Sequence, residues 1–562
     1  MWLIFILLGI GSVHPELILQ IKNGKILGQT MSTINNKTFN AFQGIPFAKP
    51  PIGDLRFKVP QKPDNWDGVL DDRNAKKMCV QATSTESPTE DEDCLYLNVY
   101  TPQSAINSTN VSLPVMVYIH GGAFLHGSAS IDRFGPFYLM DYDIIVVVIQ
   151  YRLGFYGFFS TGDLTCPGNN GFKDQQMALK WVQENIHYFG GDSDKVTIYG
   201  ESAGAGSVGF QLLGPNSKGL FRGAIQSSGS SLSIWALQNN PKSIAYKFAS
   251  HINSTINENN TSTEELMEFL KTIKKTHIKK ASIDLFGDDM NQNMWNLQKG
   301  FGFMGVIEPE HEDAFLTQKA FQLFSTGKFN VVPTLIGFNS EEALFLSQDK
   351  HLPEKMETFD KHNELFVPYN MHLNDPVVSK KVGDYIRKIY VKDGPIHKHF
   401  GACIKYFSDN NFCRSIIKQA QLQSKYTDVY LYELAYSGFM GRSGQKPVNV
   451  PGAGKVVHGE DLRYIFRKKT AAPISSYPEE DLTNMRRMLT LWTNFVKFLN
   501  PTPSREEITQ NIIWPKVSSV DNKTVSLLIA ETLEVQYDAK KIMVDEYNRL
   551  YESYAKHPIT TY

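Results

Sequence analysis

The chain has 562 residues, 42% of them hydrophobic and 20% charged, an ordinary globular composition that excludes disordered, collagen-like and coiled-coil architectures. Lys and Arg number 57 against 58 Asp and Glu, a net charge of −1. No overall basic field therefore marks a nucleic-acid or acidic-membrane partner, although a neutral total leaves room for a local patch.

Met1 to Ile10 form a short apolar run followed by small and polar residues. Spanning a bilayer takes about 20 residues, so the run reads instead as a secretory signal peptide, with cleavage near Gly11 to His14. Residues 1–14 are assigned to this signal and 15–562 to the mature chain. Acceptor sequons at Asn36, Asn107, Asn110, Asn253, Asn259, Asn260 and Asn522 support an extracellular protein, several of them in polar, loop-like stretches. No later segment is apolar enough to span a membrane, and the C-terminal residues carry no hydrophobic tail for a lipid anchor.

The five cysteines, an odd number, leave at least one outside any intrachain bridge. Cys79 and Cys94 are neighbours in a polar stretch, and a bridge there would close a short loop, worth roughly 3 kcal/mol. Cys403 and Cys413 offer a second pair, which leaves Cys166 free. No Cys-x-x-Cys or His-Glu-x-x-His spacing is present, so no metal site is expected.

Strands and helices alternate along the chain. Val115 to Ile119 and the continuous β-branched run Ile144 to Ile149 predict strands, the second buried on both faces. Asp174 to Tyr188 predicts a helix, with Ala178, Trp181, Val182 and Ile186 at helical spacing, and Lys195 to Tyr199 predicts another strand. Val331 to Ile336 and Asp428 to Tyr432 extend the series. Such alternation predicts a mostly parallel sheet covered by helices on both faces. Length alone would suggest three or four domains at about 150 residues each, yet no linker, repeat or shift in composition divides the chain.

The strand ending at Tyr199 runs into Gly200-Glu201-Ser202-Ala203-Gly204. A nucleophilic serine raised on a sharp strand-to-helix turn needs small residues on both sides, and the required strand–turn–helix context is present. Gly204-Ala205-Gly206-Ser207-Val208-Gly209 also fits the dinucleotide fingerprint formally. Glu201, Ser202 and Ala203 intervene before its first glycine, and the expected acid about 20 positions later is absent, so it reads as small residues that let a helix pack closely. His120-Gly121-Gly122-Ala123-Phe124 follows another strand. Its Gly122 and Ala123 N–H groups, with that of Ala203, have the character of donors to an oxyanion.

With these stretches in view, the sequence resembles the type-B carboxylesterase/cholinesterase family of α/β-hydrolases, most of all secreted insect carboxylesterases. Further stretches that carry the resemblance are Phe42-Gln43-Gly44-Ile45-Pro46-Phe47-Ala48, Glu92-Asp93-Cys94-Leu95-Tyr96-Leu97-Asn98, Tyr151-Arg152-Leu153-Gly154 and Gly168-Asn169-Asn170-Gly171. The resemblance implies one large catalytic α/β-hydrolase domain over residues 15–562, with long insertions, a Ser-acid-His order and no cofactor. It puts the acid in Gly337-Phe338-Asn339-Ser340-Glu341-Glu342-Ala343. The second glutamate, Glu342, aligns, while its neighbour Glu341 leaves a one-residue ambiguity and Ala343 departs from the family's usual glycine. It puts the base at His458, within Gly454-Lys455-Val456-Val457-His458-Gly459-Glu460-Asp461-Leu462.

The implied function is hydrolysis of small, uncharged, hydrophobic carboxylic esters. Residues 80 to 93 hold no tryptophan to face a quaternary ammonium, which argues against a cholinesterase. A juvenile-hormone-esterase-like activity is the alternative, although those enzymes commonly have Gln where this chain has Glu201. A non-catalytic adhesion protein of the same fold would lack the serine or the histidine; both are present.

Overall fold

The computed structural model describes residues 16–71, 77–82, 87–106, 112–287, 302–446, 448–517 and 523–562. The signal-peptide run, Asn107, Asn110 and Asn522 lie outside the described residues.

Among the described residues an 11-stranded mixed sheet forms the centre of the fold. In chain order its strands are β1 (Gln29–Ser32), β2 (Thr38–Pro46), β3 (Tyr96–Pro102), β4 (Leu113–Ile119), β5 (Ile145–Ile149), β6 (Gly191–Glu201), β7 (Gly223–Ser227), β8 (Thr334–Asn339), β9 (Val429–Leu434), β10 (Val525–Ile529) and β11 (Leu533–Tyr537). Their spatial order is β1-β2-β3-β5-β4-β6-β7-β8-β9-β10-β11, so β4 and β5 alone exchange places relative to the chain. The pairings from β5 through β10 are parallel, and antiparallel strands flank them on both sides. The alternating pattern predicts this helix-covered, mostly parallel sheet, and the α/β-hydrolase architecture it forms is the one the family resemblance implies.

The central strands are apolar along their whole length because both faces are covered. Val115, Val117, Ile119, Ile145, Val147 and Ile149 point to one side, into a core shared with helices α1 (Asn170–Asn185) and α2 (Ala203–Leu213). Met116, Tyr118, Val146, Val148 and Tyr199 point to the other, against helix α4 (Glu479–Phe498); helix α3 (Arg414–Gln423) returns to the first side. Period-two alternation thus divides the strand side chains between two cores, one on each face of the sheet.

Three sequence expectations shift. The strand expected from Val331 begins at Thr334, because Pro333 has no N–H to pair and Val331 faces solvent. The helix expected from Asp174 starts four residues earlier and ends in a 3-10 turn over Ile186–Phe189. The Cys403–Cys413 bridge does not form: both thiols are free and buried, as is Cys166. The two residues lie on one uninterrupted helical run, Phe400–Ser408 followed by a π-turn over Asp409–Cys413. Ten residues of helix separate Cα atoms by about 15 Å, far beyond the reach of a disulfide. Cys79 and Cys94 are bridged.

Buried charge ties the segment after β5 to α1. Arg152 Nε and Nη2 donate to the two Asp174 carboxylate oxygens at 2.7 Å each, and the Arg152 backbone N–H adds a third bond at 3.0 Å. Both side chains are withdrawn from solvent. Removing one partner strands the other charge, so Asp174→Ala should cost about 3–5 kcal/mol in a denaturant unfolding experiment. A loss below about 1 kcal/mol would show that water or a neighbouring group already compensates the guanidinium.

Candidate active site

The C-terminal ends of adjacent parallel strands β4 and β6 deliver two segments to one place. At the end of β6, Ser202 adopts φ 58° and ψ −125° and caps α2. A non-glycine residue held at positive φ costs of order 1–3 kcal/mol and persists only where its surroundings enforce it. Here they do. A Cβ on Gly200 would lie 2.2 Å from the Gly204 carbonyl oxygen, and one on Gly204 would lie 2.1 Å from the carbonyl oxygen of Ile119, the last residue of β4. The Ser202 N–H donates to the Ser227 carbonyl at 2.9 Å, which ties the turn to β7.

The loop leaving β4 folds over this serine. Gly122, Ala123 and Phe124 all have positive φ, at 114°, 57° and 61°. The loop closes on itself through bonds from Leu125 and His126 N–H to the Gly122 carbonyl. A Cβ on Gly121 would sit 3.0 Å from Ser202 Cβ, a measure of how closely the loop covers it. Among the described residues, no hydrogen bond occupies the N–H groups of Gly122, Ala123 or Ala203.

His458 comes from the loop after β9, and its partner from the end of β8. Its Nδ1 lies 2.7 Å from Glu342 Oε2, and its backbone N–H donates to the Glu342 carbonyl at 3.2 Å. The other Glu342 oxygen accepts the Asn339 N–H at 2.7 Å. Glu341 turns away: its carboxylate accepts from the Ser408 hydroxyl and, at 2.8 Å, from the Gly454 N–H. The geometry therefore separates the two adjacent acids. Ala343 has φ −88°, so this turn has no need of the glycine usual in the family.

With Nδ1 engaged by a carboxylate, Nε2 is the ring nitrogen left to meet a reacting group. It makes no hydrogen bond here, and Glu201 Oε1 lies 3.3 Å away. Ser202, His458 and Glu201 line one cavity of about 210 Å³ with Gly121 and Gly122. On another side the rings of Phe412, Trp235 and Phe124 form a wall that starts 4.7 Å from the His458 ring.

Electrostatics in the cavity are set by crowded acids. Burial opposes a charged imidazole, but Glu201 and the hydrogen-bonded Glu342 outweigh it and raise His458 to about 9. Burial raises Glu201 to about 7, against the pull of His458, and Asp461 to about 6. Sequence reasoning passed over Asp461 and treated Glu201 only as a departure from one subfamily. Its position beside the serine was the available signal. Phe412 and Trp235 had none, because the fold alone brings them to the histidine.

The carboxylesterase family model matches residues 15–544. The chain belongs to the carboxylesterase family. Among carboxylesterase-family relatives, juvenile hormone esterase of Tribolium castaneum is 31% identical over 94% of this chain and 92% of its own length. Esterase FE4 of Myzus persicae is 33% identical over 87% of this chain and 86% of its own. The crystal structure of juvenile hormone esterase from Manduca sexta, with OTFP covalently attached, superposes with a TM-score of 0.82 at 26% identity, covering 96% of this chain and 100% of that one.

Replacing Glu201 by Gln removes the negative charge nearest Nε2. The His458 ring titration, followed by NMR, should then move to lower pH. An unmoved midpoint would mean that Glu342 alone sets the imidazole.

Proposed function

We propose that this chain is a secreted carboxylic-ester hydrolase that works through Ser202, His458 and Glu342. The observation that carries the proposal is the 2.7 Å contact between His458 Nδ1 and a fully buried Glu342, in a cavity that also holds a serine at positive φ. His458 Nε2 takes the Ser202 proton as Oγ attacks the ester carbonyl. Glu342 holds the tautomer and stabilises the imidazolium. The N–H groups of Gly122, Ala123 and Ala203, pre-set by their backbone, donate to the oxyanion of the tetrahedral intermediate. As the carbon–oxygen bond to the alcohol breaks, His458 returns the proton to the leaving oxygen. Water then adds to the acyl-enzyme by the same route in reverse roles, releasing the acid. The ring wall of Phe412, Trp235 and Phe124 supports an apolar acyl portion.

A juvenile-hormone-esterase-like substrate is the second reading. It is favoured by two relatives that carry that name, one of them a solved structure covering nearly the whole chain. Turnover of juvenile hormone at a kcat/KM well above that for simple acetate and butyrate esters would select it.

The disulfide and the exposed sequons at Asn36, Asn259 and Asn260 support secretion; Asn253 is half-buried.

Purified protein should hydrolyse a chromogenic acetate ester and take up one organophosphate at Ser202; failure of both would remove the esterase reading. Ser202→Ala should lower kcat about 10⁶-fold with folding intact. Glu342→Gln should lower kcat by up to about 10⁴-fold and Glu341→Gln far less, whereas equal, mild effects would overturn the assignment of the acid. Secretion predicts a mass loss on N-glycanase treatment of protein from an animal cell, and an unchanged mass would contradict it.

A further inference from the structure

The cavity beside Ser202 has a wall that the esterase chemistry does not use. Arg133, Arg463 and Lys468 line it together with Ser202, His458 and Glu201. A second cavity, of about 240 Å³, continues past Arg463, Phe466 and Lys468. Three cations thus line the cavity that holds Ser202 and His458, and two of them, Arg463 and Lys468, also border the space beyond it. Among the described residues none of the three forms an ion pair with a carboxylate.

The acids nearest to them are Glu201, whose charge acts on Arg133 and Arg463, Glu460, whose charge acts on Arg463, and Asp132; each also has a partner elsewhere. Glu201 lies against His458. Glu460, buried, accepts the Val457 N–H at 3.1 Å. Asp132 is paired to Lys469 at 3.4 Å. Of the cations, Arg463 donates to the Ser443 hydroxyl, and Lys468 is half-buried. Burial, with Arg463 and Arg133 beside it, lowers Lys468 to about 8, the mark of a cation held among cations. Such a group is stabilised by any anion that enters.

The position of this wall says which part of a substrate meets it. The leaving oxygen must sit at His458 Nε2, because that atom returns its proton. His458 and Glu201 both line the cavity, so the portion of the ester carried on that leaving oxygen is the part that lies next to it. We propose that Arg133, Arg463 and Lys468 form a subsite for an anionic group, such as a carboxylate, sulfate or phosphate, carried on the alcohol portion of the substrate. The subsite equally disfavours a quaternary ammonium alcohol. Only the orientation of the ester rests on the esterase reading; the anion subsite itself does not.

Two matched esters test it on the full mature chain: 3-acetoxybenzoate, whose leaving phenol carries a carboxylate, and 3-acetoxybenzamide, its neutral counterpart. The expected kcat/KM favours the carboxylate about tenfold, mainly through KM, and the advantage shrinks as salt is raised. In Arg133→Gln/Lys468→Met the ratio should fall to near one, and in Lys468→Arg it should persist. A wild-type ratio of one or below, or a ratio unchanged in the double variant, overturns the proposal. If neither ester is turned over, the esterase reading fails and calorimetry decides the subsite. Binding of 3-hydroxybenzoate about tenfold tighter than 3-hydroxybenzamide, lost in the double variant, supports it, and equal binding overturns it.

Discussion

At the candidate site the backbone of Gly204, at the start of α2, packs directly against the carbonyl oxygen of Ile119, at the end of β4. No side chain fits between them. Because β4 and β6 are parallel neighbours, their ends emerge on the same side, and this contact draws the serine turn under the glycine loop. Ser202 is then forced to positive φ, and Gly121 is pressed to within a methyl's width of it. The order β5-β4-β6 in the sheet has the same effect on a larger scale. It puts the loops that carry function at the point where the chain reverses its direction of travel across the sheet, the usual location of sites in open α/β sheets.

Charge is arranged in shells around that point. Innermost is His458, held between Glu342 and Glu201, with Asp461 behind. These acids favour an imidazolium, and burial from solvent strengthens their influence. Outside them stand Arg133, Arg463 and Lys468. The near-zero charge of the whole chain conceals this alternation, so a neutral total says little about the field a substrate meets.

Much of the central sheet was legible from sequence because strands buried on both faces have to be apolar throughout, as Ile145–Ile149 is. The serine turn was legible for a different reason: its glycines answer contacts that leave no alternative residue. Both the glycine loop and His458 stood out through local pattern together with family resemblance. What escaped was whatever depends on direction in space. Glu341 and Glu342 are adjacent in the chain but point to different partners, and only the turn after β8 decides which one meets the histidine. Cys403 and Cys413 looked close in number, yet a continuous helix holds them apart. The cations of the outer shell come from two short helical segments, or for Lys468 from just past the second, more than three hundred positions apart, and no local signal links them.

The bridged Cys79–Cys94 segment touches the glycine loop directly. The Gln81 amide both donates to the Gly127 carbonyl, at 3.0 Å, and accepts its N–H, at 2.6 Å, while the Ala82 N–H donates to the Leu125 carbonyl at 2.8 Å. Gln81 and Ala82 directly follow Cys79 and Val80, so the brace hangs from the bridge. The position of the glycine loop over Ser202 is thereby tied to the pairing of two thiols that themselves lie outside the candidate site.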